Sequence, residues 1–220
     1  MDDIDAGRFS AVGHGLTGTL AGRIAEWPVA DGSQSTEREM ASLAALSAED
    51  PALARLGELL GREKVHALVA GTVSGSRYLK GLIQRDPSRL LRLLDTPPER
   101  RFEELVRDMR AAMAGAANLP EAMRHLRVFK SEAALLIALC DLAGVWAVME
   151  VTRRLTETAD AALEAAIRFL FRIAAEKGDW HPADPAAPEQ GSGYIVLAMG
   201  KHGAFELNYS SDIDLIIFYE

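Results

Sequence analysis

Apolar side chains recur at helical spacing from about Glu37 to about Lys177. Leu53, Leu56, Leu59 and Leu60 form one stripe, which follows Asp50-Pro51 and stops at Gly61. An aspartate N-cap with proline at the first helical position starts a helix, and glycine ends one. Asp86-Pro87 predicts a second start, carrying Leu90, Leu91, Leu93 and Leu94. Phe102, Leu105, Val106, Met109 and Met113 fall on one face of a long helix, and Pro120 opens the next. Leu155, Ala159, Ala162, Leu163, Ala166, Ile167 and Leu170 repeat the period and predict a buried face on the last helix. Ala133 to Met149 is apolar apart from Asp141 and is interrupted by Gly144. It is shorter than the roughly 20 residues a membrane helix needs, and a central Asp costs about 2.5–3.5 kcal/mol to insert. It reads as two buried helix ends meeting near Gly144. No fixed-period repeat is present.

The ends of the chain depart from this pattern. Residues 1–35 are Gly-rich and lack periodicity, which predicts a flexible, frayed leader. Residues 178–193 are dense in Pro and Gly and read as a linker or exposed loop. Tyr194–Met199 and Asp214–Tyr219 are β-branched, aromatic and bounded by turn residues, so both read as buried strands. The fold class is therefore mainly α, over residues 36–177, with a C-terminal α/β portion over 194–220.

Charge narrows the partners. The 220 residues hold 24 Lys and Arg against 32 Asp and Glu, a net charge of −8. That disfavours a broad grip on nucleic acid or anionic lipid. Cys140 is the single cysteine and lies in an apolar run, so it reads as a buried, inert thiol. The acidic opening Met1-Asp2-Asp3-Ile4-Asp5 is unlike an export signal. A cytoplasmic location is the expectation.

The candidate chemistry lies between the two strands. Gly200-Lys201-His202-Gly203 follows the first, and Ser210-Ser211-Asp212-Ile213-Asp214 leads into the second. Alternation along a strand puts Asp212 and Asp214 on one face, where they repel unless a cation joins them. Hard oxygen ligands favour Mg²⁺, which completes its shell with phosphate and water. Glycine lets the backbone approach a phosphate, and exposed N–H groups in such a turn form an anion nest. Lys201 would add positive charge, and Ser210 and Ser211 hydroxyl donors. This set suits phosphoryl or nucleotidyl transfer. Gly200-Lys201 is not a P-loop ending, because Ile195 replaces the first glycine and His202 the hydroxyl residue. His202 reads as an exposed loop histidine, and Glu206 as the start of a helical turn.

The segment Leu197-Ala198-Met199-Gly200-Lys201-His202-Gly203-Ala204-Phe205-Glu206-Leu207-Asn208-Tyr209-Ser210-Ser211-Asp212-Ile213-Asp214-Leu215-Ile216 resembles the signature of the glutamine synthetase adenylyltransferase/adenylyl-removing enzymes. The blocks Leu126–Lys130, Leu142–Trp146 and Glu150–Thr152 resemble the N-terminal helical region of that family. Ala198 and Ala204 stand where glycine is expected. The resemblance implies a polymerase-β-like nucleotidyltransferase domain whose first strands begin at residue 194. It further implies that Asp212 and Asp214 are the catalytic, metal-binding carboxylates. Gly200 and Ser211 would line the phosphate side, with Lys201 and Ser210 nearby.

The motif follows about 190 mostly helical residues, and its position matches the copy that removes AMP from a tyrosine of glutamine synthetase by phosphorolysis. The parent enzyme would also add AMP from ATP. The implied cofactor is Mg²⁺. The implied partners are glutamine synthetase, the PII signalling protein, ATP or ADP and phosphate, with neither nucleic acid nor membrane. The fold needs a third carboxylate on a later strand. Glu220 would lie about 20 Å from Asp214 at 3.3 Å per residue and cannot serve. The domain is thus expected to be truncated and inactive by itself. Two alternatives stay open: another nucleotidyltransferase, such as a PII uridylyltransferase, or a non-catalytic helical interaction module.

Overall fold

The computed structural model describes residues 18–219. The chain is mainly helical, with a two-stranded antiparallel sheet at its C-terminal end. A one-turn helix α1 (Leu20–Arg23) is followed by α2 (Gln34–Glu49), α3 (Ala54–Leu60), α4 (Glu63–Gly75), α5 (Arg77–Arg85) and α6 (Pro87–Leu94). Three longer helices come next: α7 (Pro98–Gly115), α8 (Leu119–Leu142) and α9 (Val148–Lys177). The caps at Asp50 and Asp86 are those the punctuation predicts, and Asn118 caps the helix that Pro120 opens. Asp50 accepts from the Ala52 N–H at 2.9 Å, Asp86 from the Arg89 N–H at 3.1 Å, and Asn118 from the Glu121 N–H at 3.0 Å. Gly144, at φ +62°, separates α8 from α9.

Helix α8 is the central element. It packs against α7 and α9 on one side and against α4 and α5 on the other. Leu135, Leu136, Ile137 and Leu139 are all fully buried in its second half. Cys140 is buried among them, and desolvation pushes its thiol pKa well above the usual value, so it is unreactive. No described helix is long and apolar enough to cross a membrane.

Two polar networks brace this core. Glu132 of α8 is buried; it accepts from Arg101 at 2.8 Å and from Arg92 at 3.1 Å, with Arg89 3.6 Å away. It ties α6 and α7 to α8. Glu99 accepts from Arg23 at 2.7 Å and from the Trp146 indole at 2.9 Å. Burial alone would raise the Glu99 pKa, but those two hydrogen bonds outweigh it and hold the carboxyl below its usual range.

Three expectations need correcting. The frayed leader does not extend to residue 35. Leu20 and Ile24 are buried, and α1 packs on α6, because these two apolar side chains find a groove that their glycine-rich surroundings do not advertise. The part of that leader over residues 1–17 lies outside the described residues. On α9, the buried side chains are Val151, Thr156, Ala161, Ala165 and Phe169. The predicted stripe is only half-buried, and Leu170 is exposed, because the helices beneath α9 meet its adjacent face. Much of the predicted stripe instead walls a cavity. Finally, the strands form but are not buried.

Strand β1 (Ile195–Ala198) pairs with β2 (Leu215–Phe218), Ile195 opposite Phe218 and Ala198 opposite Leu215. Val196, Ala198 and Leu215 share the half-covered face. Ile195, Leu197, Ile216 and Phe218 share the other, and all four are exposed, since no described residue packs on it. The preceding Pro/Gly-rich segment is folded back on α9. The Trp180 indole donates to the Pro188 carbonyl at 2.8 Å, and Trp180 and Tyr194 both meet Phe171 edge-on at 5.7 Å.

Gly71 in α4 lies under Pro28, whose carbonyl oxygen would be 2.2 Å from an added Cβ. Alanine in place of a helical glycine normally gains about 1 kcal/mol. Here the backbone of the covering segment must move, a cost of about 1–3 kcal/mol for overpacking. Gly71→Ala is expected to lower the urea unfolding midpoint; an unchanged or raised midpoint would show that the Pro28 segment lifts without cost.

Candidate active site

The connection between the strands is built from three turns. At the end of β1 the Met199 N–H donates to the Asp214 carbonyl at 2.9 Å, which extends the ladder by one bond. The chain then turns at Gly200, where φ is +54°, a conformation glycine adopts without strain. A single helical turn follows, α10 (Gly200–Gly203). It folds back so tightly that a Cβ on Gly203 would lie 2.4 Å from the Ala198 carbonyl oxygen. Glycine at 203 is thus required by close approach. Phe205 sits at φ 59°, and the Glu206 N–H closes on the Lys201 carbonyl at 2.8 Å. Glu206 therefore ends the turn instead of starting one.

The last turn is organised by Asn208. Its side-chain oxygen accepts from the Ser210 N–H and the Ser211 hydroxyl, both at 3.0 Å. The Asn208 N–H donates to the Ser211 hydroxyl oxygen at 3.1 Å. Asparagine is suited to such a turn because its amide mimics a backbone bond. The Ser211 hydroxyl is committed to shaping the loop, while Ser210 and Lys201 are exposed.

Asp212 and Asp214 leave this turn and lie just before β2; both are exposed. The Asp214 carboxylate comes within 4.0 Å of where a Gly200 Cβ would stand, so the fold brings the glycine bend and this aspartate together. Asp212 also lines a cavity. Neither carboxylate has an ion-pair partner among the described residues. No group of three or more His, Cys, Asp or Glu placed to hold a metal occurs there either. Two exposed aspartates with no competing cation are a donor set that fits Mg²⁺, whose other positions go to phosphate and water.

Two contacts that the sequence conceals fix the connection to the helices. His202 is 2% exposed, not the surface residue its loop position suggests, and its Nε2 lies 2.6 Å from an Asp160 carboxylate oxygen on α9. The Tyr209 hydroxyl donates to Asp141 on α8 at 3.0 Å. The pairs are 42 and 68 residues apart along the chain, so no local pattern reveals them. Between the helices and the connection lies a cavity of about 1260 Å³, walled by α4, α5, α8 and α9, with Asn208, Ser211 and Asp212 of the connection in its lining.

A helical body carrying a strand, a glycine bend and two aspartates at the edge of a second strand points to the nucleotidyltransferases as a class. Comparison with known proteins narrows this to one family. A model of the glutamate-ammonia ligase adenylyltransferases matches residues 67–220. A relative from Bradyrhizobium diazoefficiens is 46% identical over 202 residues, covering 92% of this chain and 20% of its own length. One from Rhodopseudomonas palustris is 46% identical over 215 residues, covering 96% of this chain and 22% of its own. One from Xanthobacter autotrophicus is 43% identical over 203 residues, covering 92% and 20%. All three are called bifunctional glutamine synthetase adenylyltransferase/adenylyl-removing enzyme. The chain belongs to the glutamate-ammonia ligase adenylyltransferase family, and it spans about a fifth of the length of these relatives.

Burial and the adjacent Asp141 raise the Tyr209 phenol pKa above its usual value of 10. The ring is half exposed, so water screens part of the effect. A raised folded-state pKa adds stability that is fully present below the unfolded value and is lost as pH rises beyond it. Urea midpoints measured from about pH 9 to pH 11 are expected to fall more steeply for the wild-type chain than for Tyr209→Phe. Parallel profiles would separate Tyr209 from Asp141.

Proposed function

We propose that this chain is the N-terminal, adenylyl-removing portion of an enzyme that controls glutamine synthetase by reversible adenylylation. The observation that carries the reading is the Gly200 bend set against the Asp214 carboxylate, two residues from Asp212, in a chain of this family. The long helical body before the motif supports the N-terminal assignment. The relatives' printed name supports both activities for the longer enzyme.

The chemistry is a phosphorolysis. An oxygen of inorganic phosphate forms a bond to the phosphorus of AMP, and the bond from that phosphorus to the tyrosine oxygen breaks. The products are ADP and the free tyrosine, whose oxygen takes up the proton. Asp212 and Asp214 would hold Mg²⁺, which neutralises phosphate charge when bound. Gly200 lets the backbone approach the phosphate closely, and Lys201 on the α10 turn and Ser210 on the Asn208 turn are both exposed. Glutamine synthetase and the PII protein are the proposed partners, ATP, ADP and phosphate the small ligands. Cytoplasm is the proposed location, supported by the single buried cysteine.

In the longer enzyme, Asp212→Asn or Asp214→Asn is expected to slow AMP release from adenylylated glutamine synthetase by at least about a hundredfold, the effect of several kcal/mol of metal assistance. Circular dichroism should show both variants folded. Release at near wild-type rate in both would reject the assignment. Faster release of UMP than of AMP from the corresponding protein conjugates would favour a uridylyltransferase. The 220 residues alone are expected to release no AMP, because the resemblance calls for a third carboxylate on a later strand.

A further inference from the structure

The face of α8 that borders the large cavity runs Arg127, Lys130, Ala134, Ile137, Asp141, at three- and four-residue steps. At its C-terminal end Asp141 is engaged by Tyr209. At its N-terminal end stand two cations one turn apart. Neither Arg127 nor Lys130 has a hydrogen bond or ion pair among the described residues. Their neighbours differ: Arg124 and His125, on the same helix, both lie 3.6 Å from Glu121. The charged residues lining this cavity, among those described, are these two cations and two carboxylates, Asp141 and Asp212.

Two like charges on successive turns repel, and a chain of net charge −8 offers carboxylates in plenty to relieve that repulsion. Here none is supplied. Much of the rest of the lining is apolar, with side chains such as Leu155 and Ala162 of α9 and Leu79 of α5, and Thr158 and Ser76 among the polar ones. Low-dielectric walls concentrate the field of charges placed in a cleft and draw counter-ions into it. A guanidinium fork beside an ammonium matches the tetrahedral oxyanion of a phosphate, the fork bidentately and the ammonium as a point charge.

We propose that Arg127 and Lys130 form a phosphate subsite on the helical wall of the cavity that Asp212 also lines. The subsite belongs to α8, not to the strand-and-turn motif, so the helical body supplies part of the substrate-binding surface. This deepens the proposed function and rests on it for the identity of the ligand: either the free phosphate that attacks, or a phosphate group of the nucleotide. The two sources share one chemistry.

Equilibrium dialysis of radiolabelled orthophosphate against the 220-residue chain at low ionic strength tests the subsite directly. Arg127→Ala/Lys130→Ala is expected to weaken binding at least about tenfold, the loss of one charge-assisted hydrogen bond or more. Arg127→Lys should retain part of the affinity. Arg62→Ala/Lys177→Ala, equal in charge and outside the cavity, should leave it unchanged. All four residues are exposed, and matched thermal unfolding would show that each variant keeps the fold.

The source is read by adding AMP. Additive binding of AMP and orthophosphate assigns the subsite to the attacking phosphate, and displacement assigns it to the nucleotide. Equal phosphate affinity in the double variant, or equal loss in the Arg62→Ala/Lys177→Ala control, overturns the proposal. The functional reading fails separately, on AMP release from adenylylated glutamine synthetase, which can be abolished by Asp212→Asn while phosphate still binds.

Discussion

Two side-chain contacts hold the strand-and-turn motif on the helical body: His202 with Asp160, and Tyr209 with Asp141. The short hairpin has its outer face in water and could not be stable alone; a two-stranded ribbon is marginal at best. Its position relative to α8 and α9 depends on these anchors and on the packing of residues 178–193 over α9. The buried imidazole is the stronger constraint. Its pairing with a carboxylate offsets the cost of removing a polar ring from water. The geometry of the cavity, which Asp212 and α8 both line, follows from where the motif is pinned.

The helices were legible because their signals are local. Caps at Asp50 and Asp86, the proline at 120 and the repeating leucines of α3 and α6 act within a few residues, and the structure uses them. The stripe on α9 was misread for a physical reason. Periodicity shows that a helix has an apolar face, but not whether protein or open space lies opposite. Leu155, Ala159 and Ala162 border the cavity, and the helix buries an adjacent face instead. The strands were found from composition, yet their burial was overestimated, because β-branched runs report what a sheet can bury and not what covers it. At the site, Gly200 and Asp214 come together, a proximity made by the bend after β1 and not visible in the strand alternation. The role of Ser211 in the Asn208 turn and the burial of His202 were hidden, since one is set by loop geometry and the other by a residue on a distant helix.

The buried Glu132 has a different character. Three arginines from two helices converge on one carboxylate, and the Nε atoms of Arg89 and Arg101 are buried without hydrogen-bond partners. A buried ion pair is weak support for stability, because desolvating the charges offsets much of their attraction. What such a cluster does is fix register. An apolar contact tolerates sliding by an ångström, whereas a carboxylate shared among arginines does not. Helices α6 and α7 are thereby indexed to the same turn of α8 that carries Lys130, one residue-pair away along the chain.

Helix α9 has 30 residues and is therefore a rod about 45 Å long at 1.5 Å per residue. It starts beside the Gly144 break, touches His202 through Asp160 near its middle, and ends at the left-handed Gly178 cap, after which the chain folds back on α9 and Tyr194, just before β1, packs on its Phe171. Such a rod acts as a mechanical pointer. Tilting it by five degrees about its start would carry its far end roughly 4 Å sideways, a displacement set by its length alone. A protein pressing on the α8–α9 elbow would thus reposition β1 without touching it.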